Sequence, residues 1–267
     1  MMRYMKGNAM RVAKLLLATM TIGALNPTFA GDKVVLSVSS SSDSISKLRK
    51  LVQLKKDEFE KTGDFSKRLC AQTYKELGVV EKAPIIVGLE QGEYATSARY
   101  NADKQAFVIR IGGGSLYYDA GEDYNDEFRW NTSFDPLKFR GVGIAKEYSE
   151  NSGIYTGKNA FGVSKEIKVG AKTSAVLYFP SQGYNSLEIT YPSKPEEARR
   201  IQNDLRVAVV TLIQPPCFVS GKGRKPPTIS YLYDLALTEV GIVGNRNPEW
   251  ILYLDSTKEV LKRGKFR

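Results

Sequence analysis

Lys55-Lys-Asp-Glu-Phe-Glu-Lys-Thr-Gly-Asp-Phe-Ser-Lys-Arg-Leu-Cys-Ala-Gln-Thr-Tyr-Lys-Glu-Leu-Gly78 is the stretch on which the fold turns. From Thr62 it offers a capping hydroxyl and a charged first turn. Apolar residues follow at Phe65, Leu69, Cys70, Tyr74 and Leu77, and Gly78 stands where a left-handed residue can close a helix. That spacing predicts a helix over Thr62–Leu77 with one face to pack. Most of the chain beyond it alternates apolar and polar residues in twos, the period of a strand, so the helix is expected to lie as a lid on one face of a sheet. The fold class that follows is α+β, mostly antiparallel β-sheet with two or three short helices packed on it.

Toward the N-terminus, Asp43 is placed to cap a short helix carrying Ile45, Leu48, Leu51 and Val52 on one side, after a first strand at Val34–Val38 and a serine-rich turn. The first thirty residues hold Arg3, Lys6, Arg11 and Lys14 with no acid, then the apolar run Leu15–Leu25 and Asn-Pro-Thr-Phe-Ala30. This order predicts a secretory signal peptide over 1–30, cleaved after Ala30. The run is too short for a span, which needs about 20 apolar residues. No Cys follows it, so a lipidated form is not expected. The expected product is one domain, 31–267, periplasmic or secreted and without a stable membrane anchor.

Loss of residues 1–30 removes four positive charges and no negative ones, taking the formal balance from +10 to +6. The remaining Lys and Arg are interspersed with Asp and Glu, which describes a solvated surface and speaks against nucleic acid as a partner. The two cysteines, Cys70 and Cys217, either pair in an oxidising compartment or stay as separately buried thiols. There is no histidine. Ser-His and Cys-His nucleophiles and imidazole metal ligands are therefore excluded, and no metal or cofactor is expected.

Toward the C-terminus, Ile85–Leu89 reads as a short strand and Ser97–Ile111 as a hairpin in which Tyr100 shares a buried face with Phe107, Ile109 and Ile111. Five carboxylates between Asp119 and Glu127 fail the calcium-loop spacing and read as a solvated acidic loop. From Phe139 to Phe179, strands are punctuated by glycine. Gly157, Asn159 and Gly162 are expected to make a bend that turns Phe161 into the core. Ser193 and Glu196 are spaced as a capping box with Pro195 in the first turn, and Ala198 and Ile201 face inward. Leu205–Ile213 is the most apolar strand, with Pro215-Pro216 as its stop. Gly221–Pro227 reads as a compact basic loop whose Lys222, Arg224 and Lys225 are the candidate contacts for an anionic partner. Thr228–Thr238, Trp250–Leu254 and Glu259–Lys262 complete the sheet, and Lys262–Arg267 is expected to fray.

Three short motifs recur in a familiar order: Asp57–Phe65 at the helix start, Tyr100–Asp103 at a hairpin turn, and Gly157-Lys-Asn-Ala-Phe-Gly162. In this order the chain resembles a group of uncharacterised exported bacterial proteins, departing from them at Gly63, where a helix former is usual. The resemblance implies export and an α+β domain, and it implies no reaction.

An enzyme without histidine needs a Ser-Lys dyad or paired carboxylates. Ser44 and Lys47 have the Ser-x-x-Lys spacing, but the companion Ser-Asp-Asn and Lys-Thr-Gly elements are missing, and Lys172-Thr-Ser174 falls short of the second. The acidic loop, with Asp123 and Asp126, supplies carboxylates without an evident acid partner. The leading reading is an exported non-enzymatic domain that binds a protein or cell-envelope component. The alternatives are a carboxylate-based or Ser/Lys cell-wall or glycan hydrolase, and a secreted effector or its periplasmic inhibitor.

Overall fold

The computed structural model describes residues 41–89, 91–92, 96–112, 128–131, 134–158, 161–180, 187–228 and 232–266, without the side chains of 41–44 and 150–152. The expected signal segment, the Val34–Val38 strand and the acidic loop lie outside these residues. In chain order the elements are α1 (Ser41–Leu51), α2 (Thr62–Leu77), β1 (Ile85–Gly88), β2 (Thr96–Asn101), β3 (Ala106–Ile111), β4 (Arg129–Trp130), β5 (Phe139–Lys158), β6 (Ser164–Pro180) and β7 (Leu187–Pro192). There follow α3 (Pro195–Ile201), β8 (Leu205–Thr211), β9 (Ile213–Lys225), β10 (Tyr233–Gly244), β11 (Glu249–Leu254) and β12 (Val260–Lys265).

The strands form three sheets, ordered β1-β8-β11-β12, β4-β9-β10-β6-β5 and β2-β3-β7. All described pairings are antiparallel except β6 with β10, so the fold is α+β with mostly antiparallel sheet. In the smallest sheet Tyr100 stands opposite Phe107, their rings edge to face at 5.3 Å. The apolar β8 is an interior strand of the four-stranded sheet.

The helix α2 buries Phe65, Leu69 and Thr73, and Cys70, Tyr74 and Leu77 pack beside the same core. Its end is closed by Gly78 at φ 69°, whose N–H donates to Lys75, while the Val79 N–H donates to Tyr74 at 3.0 Å. Its start differs from expectation. Thr62 lies inside the helix and the cap residue Lys61 makes no side-chain cap. The charged lead-in is instead gathered by Arg68, which donates to Glu60 Oε1 at 2.9 Å and to the Lys55 carbonyl at 2.9 Å while its guanidinium lies over Phe65. Arginine's planar fork can serve all three partners, so the helix start is held from nearly two turns inside it.

Two other caps also move. The helix α1 begins at Ser41, ahead of Asp43, with Ile45, Leu48 and Leu51 buried. The cap of α3 is Lys194, and no Ser193–Glu196 capping box forms. The Ser193 hydroxyl donates to Glu197 at 3.2 Å, one residue past the expected partner, and Ala198 and Ile201 are buried as expected.

The five-stranded sheet is covered on both faces over its central part. Ala175, Leu177, Phe179, Phe218, Val240 and Ile242 join the core shared with α1 and α2, and Val176, Tyr178, Val219 and Val243 pack under Phe134 with Trp130 and Phe139 beside it. Burial on both sides explains the unbroken apolar run Ala175–Phe179. Under this second layer the Tyr178 hydroxyl donates to the fully buried Glu239 carboxylate.

Three further expectations are overturned. Pro215-Pro216 does not stop a strand but lies within β9, where the ladder with β10 steps from Phe218–Ile242 to Ile213–Gly244. The residues between are out of register, so the missing proline N–H groups leave no gap in the pairing. Gly221–Lys225 is strand and not loop. A Cβ at Gly223 would come within 2.6 Å of the Phe128 ring, and one at Gly221 within 3.0 Å of Trp130, so these glycines admit aromatic rings laid on the strand. As far as Phe266, the basic C-terminal residues are held in place. Val260–Lys265 is β12, and Phe266 packs on Phe179 with ring centroids 4.9 Å apart while the Arg140 guanidinium lies over it.

Candidate functional site

The long hairpin β5–β6 outruns its neighbours. Its two strands stay paired from Gly153–Val169 to Lys158–Ser164, whereas β10 reaches only as far as Tyr233 opposite Lys168, and β9 ends at Lys225. Beyond Lys168 the pair continues as a two-stranded arm with about 13 Å of ladder, at the usual rise per residue. A register shift between Ser149 and Gly153 marks where the arm leaves the body.

Among the described residues no core covers the arm's tip, which corrects the expected position of Phe161. Its side chain is 92% exposed, Ile154 is 62% exposed and Val163 53%. Gly162 does take the positive φ its bend requires, +79°. Gly157 is needed for a different reason: a Cβ there would overlap Ile167 Cδ1, so the glycine lets the Ile167 side chain cross its partner strand.

The arm's base is tied to the sheet. The Tyr155 hydroxyl donates to Asp234 Oδ2 at 3.2 Å, and Arg224 Nε donates to Asp234 Oδ1 at 2.7 Å, with a second bond from its Nη2 to Oδ2. The Arg224 guanidinium is the main cause holding the Asp234 carboxyl below its usual range, against burial, which opposes it; the Tyr155 hydroxyl adds to the lowering. The Tyr155 phenol is pushed up, first by desolvation and then by its bond to Asp234.

Of the three basic candidates, Arg224 is thus committed to Asp234, where it acts as a brace. Lys222 is exposed, and register puts it on the same face as Arg224 and across from Arg129, while Lys225 points to the other face with Gly221 and Gly223. On the arm, Lys165 stands opposite Gly157 on the Tyr155 face, and Lys158 and Lys168 lie on the reverse face. The Lys168 ammonium sits over the Tyr233 ring, 5.7 Å from its centre. The sequence does not mark Ile154, Tyr155, Lys158, Val163, Lys165 or Asp234 as contact candidates. One signal was present: residues 154–168 lack the consistent apolar face of a buried strand.

A second feature is an open cleft of about 440 Å³ between α2 and the start of β9, lined among others by Lys67, Cys70, Tyr74, Glu81, Lys82 and Pro215. Cys70 and Cys217 are joined there in a disulfide with Cα atoms 5.1 Å apart. The Tyr74 hydroxyl donates to the Ile213 carbonyl at 3.3 Å.

The hydrolytic candidates fall partly outside the described residues. Ser44 and Lys47 lie on α1, and the Ser44 side chain, like Asp123 and Asp126, is outside the described residues. Thr173 and Ser174 are buried on β6, where Thr173 accepts a hydrogen bond of 2.9 Å from Arg49. Among the described residues no three Asp, Glu or Cys side chains converge in a metal-holding group. Compared with family models, curated proteins and solved structures, the chain matches none.

Proposed function

We propose that this chain is an exported, non-enzymatic binding domain that meets a protein or cell-envelope component with its β5–β6 arm. The carrying observation is the arm itself, a paired extension beyond the sheet ending in Phe161 at 92% exposure. An aromatic left 92% exposed forgoes most of the burial by which such a side chain stabilises a fold, and two-stranded hairpins are at best marginally stable in water. Export is supported by the basic, then apolar, then small-residue order of the first thirty residues, and the Cys70–Cys217 bond is compatible with an oxidising compartment.

The test has two readouts in a bacterial host. N-terminal sequencing of the extracytoplasmic fraction is expected to begin at Gly31. A photo-crosslinking residue at position 161 is expected to yield a discrete envelope adduct that the same residue at position 59, also exposed, does not. Cytoplasmic retention, or identical adducts from both positions, overturns the reading.

A further inference from the structure

We infer that the arm's tip docks on an anionic lipid surface, a conclusion that rests on the binding-domain reading and names the partner's chemistry. The tip carries exposed Phe161 and Val163 next to Gly162. Directly behind it, Lys158 and Lys165 sit at adjacent positions of the ladder and therefore on opposite faces, so both sides of the arm present an ammonium at nearly the same depth. Exposed Lys168 follows on the reverse face, and Glu166 is the one acid of residues 153–169 against three lysines.

An aromatic end with a cationic collar matches a headgroup layer. The ring enters the interface to a depth of about 5–10 Å, and flexible lysine stems keep their charges among the phosphates. The collar argues against a protein surface, because lysine is depleted at protein interfaces while anionic lipid attracts each added lysine. Insertion must be shallow. A two-stranded arm has unpaired edges, and the hydrocarbon interior cannot satisfy their N–H and C=O groups. The base of the arm is braced against the load of docking, because Tyr155, Asp234 and Arg224 pin it to β9 and β10.

Co-sedimentation of the purified chain with phosphatidylcholine vesicles, with and without about 30% phosphatidylglycerol, tests this. A Phe161→Asp/Val163→Asp variant carries the same N-terminal segment and is the matched control. The wild type is expected to partition on the anionic vesicles at least about tenfold better than the control, and to lose most of that binding at ~0.5 M salt. Lys158→Gln/Lys165→Gln is expected to abolish the preference for anionic over neutral vesicles. Circular dichroism checks that each variant folds, and Phe161→Ser replaces the double variant if it does not. Equal partition of wild type and tip variants, or equal binding to both vesicle types, overturns the inference. An envelope protein crosslinked through position 161 by a chain that ignores vesicles also overturns it, while leaving the binding-domain reading intact.

Discussion

The same two strands, β5 and β6, pass through two environments. Between Val142 and Ala145 and between Ala175 and Phe179 their side chains are buried, wedged between α1 on one face and the Trp130–Phe134 layer on the other. From Ile154 to Lys158 and from Ser164 to Lys168 the strands keep their pairing, and of these residues only Ile167 is buried. Backbone pairing is therefore not what distinguishes body from arm. The difference is burial, and burial is where a folded chain gains most of its free energy. Substitutions should register as lost stability in the body and as lost contact with a partner in the arm.

The largest expected effect is on the body side. The Cys70–Cys217 bond joins residues 147 apart in sequence and ties α2 to β9. In the chain-entropy account, a closed loop of that size restricts the unfolded chain strongly. Cys70→Ser/Cys217→Ser should cost about 2–5 kcal/mol, read as a lower midpoint in denaturant. Vesicle partition of the folded double variant should be unchanged. A loss of partition without unfolding would break the comparison, because arm and body would then act as one unit.

A smaller effect is expected where rings press on backbone. A Cβ at Gly241 would lie 2.7 Å from Tyr178 Cδ2 and 3.0 Å from Val219 Cγ2. Both neighbours are fully buried and Tyr178 is held by Glu239, so neither can yield cheaply. Gly241→Ala should cost about 1–3 kcal/mol in chemical denaturation. A cost near zero would mean that the Trp130–Phe134 layer is loosely packed, and the contrast between body and arm would narrow.

What the sequence disclosed follows the same division. Patterns that report burial were readable: the Phe65–Leu69 stripe of α2, the Tyr100–Phe107 hairpin and the interior run of β8 all lie where their spacing placed them. Misreadings came from residues with two physical meanings. Gly221 and Gly223 were punctuation to a local reading, but they accommodate the rings of Phe128 and Trp130 from far earlier in the chain, and only the tertiary contact tells the cases apart. Pro215-Pro216 read as a stop because a ladder needs N–H groups, yet the register step of β9 removes that need. Phe161 reads as core because aromatic residues usually bury, and the one local sign against it is that residues 154–168 lack the consistent apolar face of a buried strand. The basic triplet showed its charge, but not that Arg224 is committed to Asp234, a partner across the next strand.

Asp234 stands at the boundary between the two environments, and its titration gives the smallest and most diagnostic effect. Its carboxyl is nearly buried, with 8% of the side chain accessible, whereas Arg224 is 60% accessible, so water screens much of the attraction. The pair should contribute about 1 kcal/mol or less. Its sign is set by the direction of the shift. A carboxyl held below its usual range in the folded state binds its proton more readily when unfolded, so its contribution is complete above the usual carboxylate range and fades as pH falls through the lowered folded value. The stability gap between wild type and Asp234→Asn should therefore be widest at neutral pH and close in acid, measured as denaturant midpoints across that range. Because Tyr155 donates to the same carboxylate, amide exchange along Ile154–Lys158 should quicken in Asp234→Ala and stay slow in Gly241→Ala. A gap that is flat with pH would mean the Arg224 brace is absent in solution, and an arm that exchanges equally in both variants would mean that its stiffness comes from the Ile167–Gly157 crossing instead.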